Sequence, residues 1–106
     1  MEIVGDFIRY LEVEKRYSPR TRALYRDALY GFYGYMFPDG EPSEADALSS
    51  LTPVDIRGYI ANSLDNGISA RTMNLRLSAM SSFCRWLVRR DLLASNPVLK
   101  VPRPKQ

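Results

Sequence analysis

The residues with the clearest chemical potential in this sequence are arginines. The stretch "NGISARTMNLRLSAMSSFCRWLVRR", residues 66 to 90, carries five arginines and no acid. A solvated helix face ordinarily mixes both signs, so a one-signed run asks for an anionic partner. Placed at 100° per residue, Arg71, Asn74, Ser78, Ser81, Ser82, Arg85 and Arg89 form a polar arc in which no carboxylate competes for the arginines. Guanidinium forks and short amide or hydroxyl side chains are the groups that phosphate oxygens and base edges call for. A second basic cluster, "KRYSPRTRALYR", gathers Lys15, Arg16, Arg20, Arg22 and Arg26 around another helix start. The two helix starts resemble each other. A helix N-terminus adds free backbone N–H groups and a partial positive charge, which makes the "SART" turn a candidate anion site.

Two basic helix starts on one small helical domain point to duplex DNA, with helix termini on phosphates and side chains in the major groove. The bland alternative is that these arginines are solvated and merely cover apolar neighbours. Covalent chemistry finds less support. The chain has no histidine and one cysteine, Cys84, which falls in an apolar helical stripe and reads as a buried structural thiol. Of the seven tyrosines, Tyr25, Tyr33 and Tyr59 fall on apolar helix faces, and Tyr10, Tyr17, Tyr30 and Tyr35 have no activating constellation around them. Carboxylates are not clustered in a catalytic pattern, the acidic stretch 39 to 46 has no metal-like spacing, and no cofactor is called for.

The elements that must position the basic residues follow from punctuation and period. A first helix is predicted from about Ile3 to Lys15, with Ile3, Phe7, Ile8 and Leu11 on one face. A second opens with Ser18 as N-cap and Pro19 in the first turn and runs to about Met36, with Leu24, Tyr25, Ala28, Leu29, Phe32 and Met36 inward. Gly31 and Gly34 lie inside it and are read as permitting a close helix crossing. Among Phe32, Tyr33, Tyr35 and Phe37, a partner-facing patch is conceivable, with Phe32 assigned to the core.

"FPDGEPSEADALSS" has two prolines, a glycine and four acids without a base, which reads as a solvated loop that closes no core. Thr52, Pro53 and Asp55 then open a third helix carrying Val54, Ile56, Tyr59, Ile60 and Leu64, stopped at Asn66-Gly67. Ser69 caps the fourth, which runs to about Arg90. Its main seam is Met73, Leu77, Met80, Cys84 and Leu87, an arc of about 80°. Leu75, Ala79 and Trp86 form a second apolar seam with Phe83 between the two, so this helix is expected to be central. A short turn or helix through Leu92 and Leu93, a fifth helical turn, ends at Asn96-Pro97. The tail "KVPRPKQ", with two prolines and three bases, reads as an extended linker. The expected division is residues 1–98 as the helical domain and 99–106 as linker. No internal repeat and no β-alternation is found.

Composition fits that picture. At 106 residues and 45% hydrophobic content the chain holds one domain with one core. It has no apolar run near the roughly 20 residues that span a bilayer, and "MEIVGDFIRY" places acids where a signal peptide has lysines, so a soluble, cytoplasmic chain is expected. Net charge is only +3, but residues 1 to 68 hold 7 Lys/Arg and 11 Asp/Glu whereas residues 69 to 106 hold 8 and 1. Such asymmetry is the footprint of a surface that meets a polyanion or an acidic protein.

Taken in order, "YSPRTRALYRDALYGFYGYM", "LSSLTPVDIRGYI", "NGISARTMNLRLSAMSSFCRWLVRRDLLASNPV" and the "PRPK" exit resemble the N-terminal core-binding domain of tyrosine recombinases, the Xer-type and phage-integrase-like enzymes. The resemblance covers nearly the whole chain. It implies an all-α, compact four-helix SAM-like bundle forming half of a C-shaped clamp on duplex DNA, joined by a linker to a catalytic domain, with other recombinase protomers as partners in the full-length assembly and a monomer when isolated. It also implies that the second and fourth predicted helices face the major groove. Carried over by position, Arg20, Thr21 and Arg22 stand at the DNA in the second helix, and Arg71, Thr72, Leu75 and Arg76 in the fourth, with Ser69 capping. That set is narrower than the polar arc, leaves Arg85 and Arg89 unassigned, and gives Arg76 a role. The family's chemistry uses a tyrosine nucleophile, forming a 3′-phosphotyrosyl bond, assisted by arginines, a lysine and histidines of the catalytic domain. Without a histidine, this chain departs from that part of the pattern. Its expected role is DNA binding for recombination or integration; the competing readings are a SAM-like module that binds an acidic protein and, with least support, a small enzyme.

Overall fold

The computed structural model describes all residues, 1–106, and is helical throughout, without strands. Five α-helices follow in order: α1 Glu2–Val13, α2 Pro19–Met36, α3 Glu44–Ser49, α4 Pro53–Asp65 and α5 Ala70–Arg89. A 3-10 turn at Pro97–Lys100 closes the chain. The expected all-α bundle is present, with one helix more than the sequence reading placed. No helix is long and apolar enough to cross a membrane.

The helix starts are set by short polar caps. Ser18, Ser43, Thr52 and Ser69 each accept the backbone N–H three residues on, satisfying a donor that has no partner within the helix. The stops are equally local. At the end of α4 the Ile68 N–H donates to the Ser63 carbonyl and the Gly67 N–H to Leu64, both at 3.0 Å, with Gly67 at φ +89°. At the end of α5, Leu92 N–H donates to Leu87 and Asp91 N–H to Val88, with Asp91 at φ +60°. Both are Schellman closures, but only the first uses glycine.

The core lies where α1, α2 and α4 surround α5. Met73, Leu77, Met80, Cys84 and Leu87, the expected main seam of α5, are all fully buried. Phe83 and Trp86 extend that seam towards α1, with Phe7 at 5.1 Å from the Phe83 ring and 5.4 Å from the Trp86 ring. On the other side Phe32 of α2 meets Tyr59 of α4 edge-on at 5.5 Å. Here α2 and α4 approach closely: a Cβ on Gly31 would lie 2.9 Å from Tyr59 Oη, and one on Gly58 2.9 Å from Tyr35 Oη. Gly31 therefore serves the expected crossing, whereas Gly34 meets nothing and does not.

Several expectations are corrected. The acidic stretch, expected as a loop that closes no core, instead forms α3: Ala47 and Ser50 are buried, and the Ala47 carbonyl accepts from Tyr33 Oη at 3.0 Å and from Ser50 Oγ at 2.8 Å. Within the aromatic cluster, Tyr33 is therefore core like Phe32. Val54 is 68% exposed rather than inward; it lies about 200° around the helix from Ile56, so both cannot face the core. Leu64, in the last turn of α4, is also exposed. Leu24 and Leu75 are 60% and 65% exposed, because both stand on the walls of an open groove between α2 and α5.

The chain turns at residues 90–92, at the start of the expected turn, a separate 3-10 turn forms at Pro97–Lys100, and the tail expected to be extended folds back along α5. Val98 and Val101 are buried, and the tail is held by hydrogen bonds from Asn96 and Arg103. Two valines spaced to face one way give the tail an apolar edge, and α5 offers the polar groups that fix it.

Candidate nucleic-acid interface

The starts of α2 and α5 are built alike. Ser18 and Ser69 sit in the extended region, at φ −63°, ψ 158° and φ −69°, ψ 155°. Each hydroxyl accepts the N–H of the threonine three residues on, at 3.2 Å from Thr21 and 3.1 Å from Thr72. Each also donates to that threonine's Oγ1, at 3.1 Å in both helices. The serine and threonine thus lock one another, and the residue before each threonine is an arginine. Arg20 and Arg71 are both exposed. The chain contains three ion pairs, and Arg20, Arg71 and Arg76 take part in none of them. The two starts therefore hold two uncompensated guanidinium groups at equivalent steps of two packed helices, and unneutralised forks of this kind suit phosphate or a guanine edge.

The remaining residues of the expected set divide by environment. Ser69, Thr72 and Leu75 are exposed, and Thr21 is half-buried. Arg76 is half-buried as well, with Nη1 donating to Tyr59 Oη at 3.3 Å, which ties this arginine to α4. Arg22 is the exception: its side chain is 19% exposed and its Nη1 donates to Glu12 Oε2 of α1 at 2.7 Å. Its charge is compensated within the fold. The structure brings Thr72, Leu75 and Arg76 together on one wall of a groove of about 310 Å³, with Leu24, Asp27 and Ala28 on the other. Arg20, Thr21, Arg22, Ser69 and Arg71 do not line that groove.

Past its first turns, the polar arc of α5 has a different occupant from the one its composition suggests. Asn74 Nδ2 donates to the Pro104 carbonyl at 2.8 Å, and Arg103 Nη1 donates to the Asn74 carbonyl and to Ser78 Oγ, each at 3.0 Å. Ser81 is buried, with its Oγ accepting from Asn96 Nδ2 at 2.9 Å and from Arg85 Nη1 at 3.1 Å. Arg89 Nη2 donates to Tyr10 Oη at 2.9 Å. The middle of the arc thus clasps the chain's own tail through Asn74, Ser78 and Ser81, while Arg85 and Arg89 stay exposed and hydrogen-bonded within the fold and Arg71 is exposed at the start of the helix. Leu24 is the residue that sequence reasoning placed wrongly for this face, as an inner residue. The signal available was its position relative to the Ser18 cap, the same as that of Leu75 relative to Ser69.

The Cys84 thiol and the hydroxyls of Tyr25 and Tyr33 are all shifted towards their neutral forms. Burial pushes the Cys84 thiol up to about 12, and burial likewise raises Tyr33, whose hydroxyl is spent on the Ala47 carbonyl. Tyr25 is raised by burial first and by neighbouring Tyr17 second. Activation of a nucleophile requires the opposite displacement.

Residues 4–91 match the model of the phage integrase, N-terminal SAM-like domain. The chain belongs to this family. Among curated relatives, a tyrosine recombinase XerC of Bacillus pumilus is 35% identical over 98% of this chain and 33% of its own length. One of Pelotomaculum thermopropionicum is 35% identical over 96% of the chain and 34% of its own length. One of Bacillus subtilis is 32% identical over 94% and 32%, respectively. This SAM-like domain therefore spans about a third of the length of the curated relatives it matches. No solved structure matches the chain.

Proposed function

We propose that the chain is the DNA-binding N-terminal domain of a site-specific tyrosine recombinase, gripping duplex DNA at a recombination site through the starts of α2 and α5 for recombination or integration. The observation that carries the reading is the pair of identically locked helix starts, each presenting an exposed arginine without an acid partner. Arg20 and Arg71 make the primary phosphate or base contacts, with Thr21 and Thr72 beside them, Ser69 holding its turn, and Leu75 and Arg76 flanking the groove. Arg22 contributes mainly to the α1–α2 contact and only secondarily to DNA.

In this reading strand cleavage belongs to the two-thirds of the relatives' length that the chain does not span, and other protomers join on the DNA. Residues 99–106 lead towards that region, with Val101 and Arg103 fixing their first part to α5. The cytoplasm is the compartment where such a substrate lies.

The experiment is a titration of the chain against a labelled duplex at low and at physiological salt. Each neutralised phosphate contributes about 0.9 to the slope of log K against log salt, so the reading expects affinity to fall steeply. One observation favours a second reading, a module that binds an acidic protein: the exposed apolar pair Leu24 and Leu75. Absence of duplex binding even at low salt would favour that module.

A further inference from the structure

The likeness of the two helix starts extends beyond their caps. "SPRTRAL", residues 18 to 24, and "SARTMNL", residues 69 to 75, share serine at the cap, arginine and threonine at the second and third steps, and leucine at the sixth. Both leucines are exposed, at 60% and 65%, and both line the same groove between α2 and α5. The correspondence continues into the groove wall, where Ala28 and Ala79 are equivalent by spacing, as are Asp27 and Ser78. The groove is thus lined from its two sides by matching positions, which carries the likeness of the two helix starts into the groove wall. This extension is hidden in the sequence because other equivalent positions, Arg26 and Leu77 among them, differ in burial and therefore in residue type.

Large exposed apolar side chains in a groove that Arg76 lines, with Arg20 and Arg71 outside it nearer the helix starts, suit a partner that is apolar at one point and anionic around it. Arg20 stands four residues before Leu24 and Arg71 four before Leu75, which places each arginine on the same helix face as its leucine, one turn nearer the helix start. In the major groove of duplex DNA the one strongly apolar group on a base edge is the 5-methyl of thymine, and phosphates flank it. Asp27 fits the same surface: a carboxylate in the groove repels a phosphate but accepts from an exocyclic amino group, and an A·T pair presents an amino group and a methyl together.

We propose that Leu24 and Leu75 form a paired apolar reading head that packs against thymine methyl groups in the major groove, with Arg20 and Arg71 anchoring the adjoining phosphates. This rests on the DNA-binding reading above and adds a base preference to it.

The test enriches a random duplex pool on the chain, then resynthesises the enriched duplexes with either thymine or uracil, which differ only by the methyl. The proposal expects the uracil duplexes to bind about fourfold more weakly for each methyl contacted. In Leu24→Ser and Leu75→Ser the thymine-to-uracil ratio falls towards one, and Leu75→Met restores it, an outcome that a merely structural role of the leucine does not produce. Because both leucines are exposed, the melting temperature of each variant serves as the check that the fold is kept. Equal binding of thymine and uracil duplexes by the wild type overturns the proposal while leaving DNA binding in place, as does a ratio unchanged in both serine variants. No enrichment of any duplex removes the DNA reading itself. Self-association that the serine variants abolish overturns the proposal in favour of a second copy of the chain in the groove.

Discussion

Arg20 and Arg71 occupy the same step of two equally built turns, and nothing in the fold neutralises them, whereas Arg22, two residues after Arg20, is spent on Glu12. Type and spacing alone could not separate these three arginines. A cap is a contact between residues three apart and is legible in sequence; an ion pair between α1 and α2 depends on how the helices pack. Cys84 shows the same division. Its place in an apolar stripe announced burial, and burial holds its thiol neutral up to about 12. In the unfolded chain a thiol ionises near ~8.5, so above that pH the unfolded state binds fewer protons than the folded one. The stability contributed by the neutral thiol is complete below ~8.5 and is lost as pH rises towards about 12. Equilibrium unfolding between pH 8 and 10 is therefore expected to show wild-type stability falling more steeply than that of Cys84→Ala, although the variant starts lower because it leaves a cavity. Parallel slopes would contradict the burial of this thiol as a neutral group.

The four longer helices are legible as elements because each combines a polar cap with several turns of apolar period. α3 is not: six residues make under two turns, too short for a period, and its acids and flanking prolines imitate a loop. The folded-back tail was illegible for another reason. Its holding groups, Asn74, Ser78 and Ser81, lie far away in sequence and read equally well as a surface for an external partner. The end of α5 carries a testable local cost. Asp91 closes a Schellman turn at φ +60°, a conformation unfavourable for residues with a Cβ. Asp91→Gly is expected to raise stability by up to about 1 kcal/mol, read as a higher denaturant midpoint at unchanged m-value. A lower midpoint would mean that the Asp91 side chain makes a stabilising contribution larger than the backbone penalty.

Over the whole molecule, α5 and the tail collect most of the uncompensated positive charge, while the acids are concentrated in the earlier residues. The fold uses part of that charge internally: Arg103 and Arg89 tie the tail and α1 to α5, and Arg85 reaches Ser81. Arg20 and Arg71, at the starts of α2 and α5, are exposed and outside every ion pair. In the proposed function these two starts act together on one duplex. Its most direct test is a binding titration of the wild type, Arg20→Ala, Arg71→Ala and the double variant across salt concentrations. Each single variant is expected to bind more weakly and to lower the log–log salt slope by about one, and the double variant to lower it by about two. Wild-type affinity and slope retained in the double variant would contradict it.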